Sequence, residues 1–145
     1  MPLTLIQLKN ELINDPISLG YSTFINPASA RDNVALASIL NLRRGSIQIP
    51  REAVSTIMLF SNINATDFLN LTPLQLEELQ VILTMPLIDL NDSSVRNILQ
   101  GIFTGKTNTL NNFSNLRDRN GSRYEQLTSP GERVQPDYIS QALDS

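Results

Sequence analysis

The chain contains neither cysteine nor histidine, and these two absences remove more chemistry than any residue present supplies. Without a thiol there is no disulfide, no thiolate metal ligand and no cysteine nucleophile. Without imidazole, a Ser-His-Asp triad, an imidazole general base or an ordinary zinc site cannot be assembled from this chain. Carboxylates alone would have to carry any acid–base or metal chemistry. The expectation is therefore a protein that is no enzyme, with no catalytic residue, cofactor or metal. Tryptophan is missing too, and aromatic residues make up only 6% against a hydrophobic fraction of 41%, so a core must be built from Leu, Ile, Val and Ala. Eleven basic against fourteen acidic side chains leave a net charge of -3; that offers nucleic-acid phosphates no general attraction and makes nucleic acid an unexpected partner. No stretch approaches the ~20 apolar residues that cross a bilayer. The opening MPLTLIQLKNEL has neither a basic leader nor a long apolar run, so no membrane partner and no secretion are expected.

What is present is helix grammar. At 145 residues the chain is one domain's worth and can bury roughly two-thirds of its unfolded surface. The clearest segment is LTPLQLEELQVILT, residues 71–84. Thr72 can cap, Pro73 takes the first helical position and Gln75 completes a capping box. Leu76, Leu79, Ile82 and Leu83 then form an apolar side, and Met85-Pro86 ends the helix. Leu5, Leu8 and Leu12 predict a helix over 4–14, stopped by Asp15-Pro16, and Gly20-Tyr21 predicts a turn whose ring packs back. Asn26-Pro27 predicts a helix through about Leu42 with Ala30, Val34, Ala37 and Leu40 inside, Arg43 and Arg44 in its last turn and Gly45 as a left-handed stop. SIQI, residues 46–49, alternates as a two- or three-residue extended piece. Pro50 predicts a helix with Val54, Ile57 and Met58 inside, and Asn64 caps a short one over 65–69.

Further on, Asp89, Asn91 and Asp92 mark a loop and cap. Val95, Ile98, Leu99, Ile102 and Phe103 give the cleanest helical stripe in the chain, ended by Gly105. A helix over 108–117 is expected to be capped by Thr107. Asn120-Gly121 reads as a turn, and Ser122 with Glu125 as a capping box for RYEQL. Residues 128–135 read as a loop before a last helix from Pro136. The predicted fold is thus all-α: an irregular bundle of about six to eight short helices with at most a minimal extended piece near 46–49. Residues 1–127 form its body, and the 128–145 loop and helix dock on that body or on a partner.

Candidate sites are few, and each has a plainer reading. Gly101, Gly105, Lys106 and Thr107 suggest a phosphate loop, but the glycines are one residue too close and follow a helix rather than a strand. Asp89 and Asp92 could ligate Mg²⁺ or Ca²⁺, yet the calcium-loop pattern is incomplete, and capping accounts for them. Arg117, Arg119 and Arg123 concentrate positive charge, but with Asp118 and Glu125 interleaved they read as a solvated or inter-subunit ionic surface.

Two stretches point to something more particular. LKNELINDPISLGYS, with Asp15, Pro16, Gly20 and Tyr21, and GIFTGKTNTLNNFSNLRDRNGSRYEQL followed by DYISQAL, with Gly121, Ser122, Arg123, Glu125, Leu127, Ala142 and Leu143, together resemble small virion-structure proteins of tailed bacteriophages. One departure is that Thr128-Ser129-Pro130-Gly131 stands where the family pattern has an aromatic residue and a glycine. The resemblance implies an all-helical, neck- or tail-associated, non-enzymatic component of the virion, assembled in the host cytoplasm. Such a protein would form a homo-oligomer or symmetric ring and bind other virion proteins. Arg117, Arg119, Arg123, Val134, Tyr138, Ile139 and Leu143 are the expected contact residues, because a terminal helix with so little apolar surface needs to dock on something. Two other readings stand beside it: an intracellular DNA-binding regulator encoded by a phage, and a metal-dependent enzyme using carboxylates alone.

Overall fold

The computed structural model describes residues 2–145. In chain order its elements are α1 (Leu5–Asn14), α2 (Asn33–Asn41), β1 (Arg43–Pro50), β2 (Val54–Ser55), α3 (Thr56–Ser61), α4 (Ala65–Leu69), α5 (Pro73–Leu83), β3 (Leu87–Ile88), α6 (Ser93–Ile102), α7 (Thr107–Leu116), β4 (Asp118–Ser122), α8 (Arg123–Leu127) and α9 (Pro136–Asp144). Two 3-10 turns, Tyr21–Phe24 and Ala28–Ala30, lie between α1 and α2. The all-α expectation is overturned. Helix accounts for 57% of the described residues, but 12% is strand in two small antiparallel sheets, β1 with β4 and β2 with β3. No helix among the described residues is long and apolar enough to cross a membrane. The elements form two compact units, Met1–Ile49 with Asn120–Ser145, and Pro50–Arg119.

In the first unit, the Thr4 hydroxyl accepts the Gln7 N–H and the Gln7 side chain accepts the Thr4 N–H, closing a capping box at the start of α1. The helix ends at Asp15, whose left-handed backbone aims its carboxylate at the N–H groups of Leu19 and Gly20, 2.6 and 2.7 Å away. Gly20 is itself left-handed, at φ 86°, which an L side chain would resist. This turn delivers Tyr21 to the core beside Leu8, Leu12, Leu36 and Leu40. The Asp-Pro…Gly-Tyr motif is thus a turn built to bury one ring.

The helix expected from Pro27 starts later. Arg31 is extended, and Asp32 caps α2 by accepting the Ala35 N–H at 2.9 Å. That later start turns Leu36, Ala37 and Leu40 inward and leaves Ala30 and Val34 exposed. At the other end Leu42 is already extended, so Arg43, Arg44 and Gly45 belong to β1 and not to a helix terminus. Arg44 still meets the helix end, donating from the strand to the Ile39 carbonyl at 3.2 Å.

The minimal extended piece expected near 46–49 is an eight-residue strand that buries Ile47 and Ile49 in alternation. Asn120-Gly121, expected to be a turn, lies within β4. A Cβ on Gly121 would sit 2.8–2.9 Å from three side-chain atoms of Ile49, which is why glycine stands in this strand. α9 closes the unit against α1 and α2. Arg31 holds its end through Asp144, whose carboxyl the guanidinium keeps below the usual carboxylate range. The Asn41 side chain grips the Val134 backbone on both its N–H and its carbonyl, each at 2.9 Å.

The second unit packs Leu59, Leu79, Ile82, Ile88, Leu99 and Ile102 around an edge-to-face pair, Phe103 and Phe113. α5 starts as its sequence predicts, with the Thr72–Gln75 capping box intact. The helix expected from Pro50 instead begins at Thr56, because Ser55 caps it and Val54 is taken up by pairing with Ile88. Leu59 therefore faces inward, while Ile57, expected inside, is 81% exposed. Thr109, fully buried, ties α7 to α4: its hydroxyl donates to Asp67 at 2.7 Å and accepts the Asn64 N–H at 3.0 Å.

Two substitutions test this packing by thermal and urea denaturation. Gly121→Ala forces a methyl group into Ile49 and is expected to destabilise the chain by about 1–3 kcal/mol. Thr109→Val keeps the shape but removes the hydroxyl that the Asn64 N–H donates to and leaves the Asp67 carboxylate with only the residue-109 backbone N–H, at 3.1 Å, with a loss of about 1–3 kcal/mol.

Candidate interaction surface

Of the residues expected at a contact surface, most are committed within their own unit. Arg119, only 8% exposed, forks onto Glu52 with contacts of 2.9 and 2.6 Å. Arg123 forks onto Glu11 at 2.5 and 3.1 Å and also donates to Gln126 at 2.7 Å. Both members of the Glu11–Arg123 pair are almost wholly withdrawn from solvent. Val134 and Ile139 are core residues. The Tyr138 hydroxyl donates to the Leu3 carbonyl at 2.5 Å, and Leu143 packs against the same core. Of the seven, Arg117 and Arg123 border pockets, and Arg123 does so as half of its closed ion pair. Within the charged 117–125 segment, Arg119 and Arg123 are accordingly spent on internal ion pairs.

The Glu11–Arg123 pair sits beside Tyr21, whose hydroxyl is buried without a hydrogen-bond partner among the described residues. Burial, reinforced by the Glu11 charge, pushes that phenol well above its ordinary range and keeps it protonated. The cleft bordering the pair, lined by Gln7, Asn10, Asn14 and Leu127, has this closed ion pair as its only charge. It presents no uncommitted cation or carboxylate.

Asp89 and Asp92 serve the backbone. Asp89 accepts the Asn91 N–H at 2.9 Å, and Asp92 accepts those of Ser94 and Val95, capping α6. Among the described residues no three Asp or Glu side chains cluster in a way that could hold a metal ion. Gly105, at φ 77°, ends the helical run, and Lys106 stands at the cap position of α7 without a side-chain cap.

Two features of the second unit escaped the sequence reading. One is a half-open pocket of about 280 Å³ between α6 and α7. Leu90, Leu99, Leu110 and Phe113 make it apolar, while Arg96, Arg117, Gln100 and Ser114 add polar groups. Arg117 leans on the Asn91 side chain at 3.4 Å. The Arg96 guanidinium has no hydrogen bond or ion pair among the described residues. The other is an apolar surface. Ile57, Leu74, Val81 and Leu87 are 81%, 64%, 63% and 63% exposed, with Phe60 and Met85 less so. Leu74, Val81 and Met85 recur at seven and four residues, so they form one stripe along α5 and its end. Thr56 bonds the Met85 carbonyl at 2.8 Å and Ser55 pairs with Leu87, which joins that stripe to the first turn of α3.

Comparison of the chain with protein-family models, with curated proteins and with solved structures found no match.

Breaking the buried ion pair should show that it belongs to the fold. Glu11→Ala strands Arg123 and is expected to cost about 3–5 kcal/mol in urea unfolding, whereas Glu11→Leu combined with Arg123→Met recovers most of that loss.

Proposed function

We propose that this chain is a non-enzymatic structural protein of a tailed phage particle, present in several copies, that acts by binding neighbouring virion proteins. The neck or tail is its place in preference to the capsid, after assembly in the host cytoplasm. The family resemblance of the two terminal stretches supports the phage assignment.

The adhesive role rests on one observation, the exposed aliphatic surface running from α3 along α5 to β3. A helix serving only its own core carries one apolar stripe. α5 carries two: Leu79 and Ile82 are buried, while Leu74 and Val81 stand in solvent. Covering exposed aliphatic area gains roughly 25 cal/mol per Å², and concentrations of such residues mark protein contacts. The contact surface proposed is therefore α3, α5 and β3, rather than the buried Arg119, Arg123, Val134 and Ile139.

Light scattering on the eluting full-length chain is expected to give a mass above that of a single chain. Leu74→Lys with Val81→Lys should reduce it to one chain while the far-UV circular dichroism is unchanged. A wild-type monomer at every concentration, together with absence of the polypeptide from purified particles by mass spectrometry, overturns the proposal.

A further inference from the structure

We infer that the pocket between α6 and α7 receives the acidic stripe of α5 from a second copy of this chain, so that copies join head to tail. The inference rests on the assembly reading above and names its contact. The pocket has an apolar floor, and its Arg96 guanidinium lacks any counter-charge of its own. A cation left beside an apolar wall is matched by a carboxylate carried on an apolar body.

The outer side of α5 has that composition. Leu74, Glu77, Glu78 and Val81 follow one another at three, one and three residues, which places them along one face. All four are exposed, and neither glutamate has a hydrogen bond or ion pair among the described residues. Residues 73–83 include no basic side chain to oppose docking on arginines. A volume of about 280 Å³ lies below the ~300–1,000 Å³ typical of small-molecule sites and suits a few inserted side chains.

The two surfaces do not meet within one chain: neither Glu77 nor Glu78 lines the pocket, and neither pairs with Arg96 or Arg117. Between copies, pocket and stripe are different patches, so the contact is heterologous. It closes into a ring or runs on as a filament, according to the rotation between neighbours.

Charge reversal tests the pairing on the full chain by light scattering and sedimentation, with circular dichroism as the control for folding. Arg96→Glu alone, and Glu77→Arg with Glu78→Arg, should each weaken self-association by about tenfold or more. Mixing these two variants should restore assembly, because each then supplies the surface that complements the other's altered one; all three substitutions in one chain should restore it as well. If the wild type assembles and Leu74→Lys with Val81→Lys abolishes assembly, yet neither charge reversal matters, the pairing is overturned and the assembly reading stands. If both reversals weaken assembly but the mixture does not recover, the pairing is overturned too. A wild-type monomer overturns the pairing, and the virion reading then stands or falls on whether mass spectrometry finds the polypeptide in purified particles.

Discussion

Glu11 and Arg123 meet as a two-point ion pair withdrawn from water, although they stand far apart in the chain, and the rest of the first unit depends on the return of the chain that this contact fixes. Residues 2–49 supply Leu8, Leu12, Tyr21, Leu36 and Leu40 to the core of that unit. Residues 120–145 bring Tyr124, Val134, Ile139 and Ala142 to them, so the core is shared between the two segments. A buried charge left without its partner would be costly, so the pair discriminates sharply against any other register of the returning strand and helix.

The motif residues singled out in the two sequence stretches cluster around this return, and each has a task in the fold. Gly121 makes room for Ile49, Ser122 and Glu125 cap α8, and Arg123 neutralises Glu11. Glu125 also accepts the Gly131 N–H at 2.7 Å, which pins the loop that follows. Asp15, Gly20 and Tyr21 do the equivalent at the other end by building the turn that buries the ring. These motif residues therefore shape the first unit, whereas the proposed contacts lie on the second.

Within the second unit one helix has two obligations. α5 packs Leu79 and Ile82 inward and leaves Leu74 and Val81 outside, so from sequence alone its apolar residues point almost all the way round. α3 behaves similarly, with Leu59 inside and Ile57 out. Exposed aliphatic stripes of this kind mark contact surfaces, and the proposed assembly would be what covers this one.

Much of the helical content was legible because its signals are local. Thr4 with Gln7, Thr72 with Gln75 and Ser122 with Glu125 act within one turn, as do the caps Asn64 and Asp92. The missing thiol and imidazole likewise bound the chemistry without any knowledge of the fold. What sequence could not supply was every feature set by a distant partner. β1 is a strand because β4 lies beside it, and β2 because Ile88 pairs with Val54. Arg119 and Arg123 look like a charged surface until Glu52 and Glu11 are brought to them. Caps and periodicity draw their energy from neighbours within about four residues, so the sequence by itself determined where most helices begin and that their cores are aliphatic. Strand pairing, the choice between two apolar faces and the burial of a charge draw theirs from groups tens of residues away, and those only the tertiary structure decided.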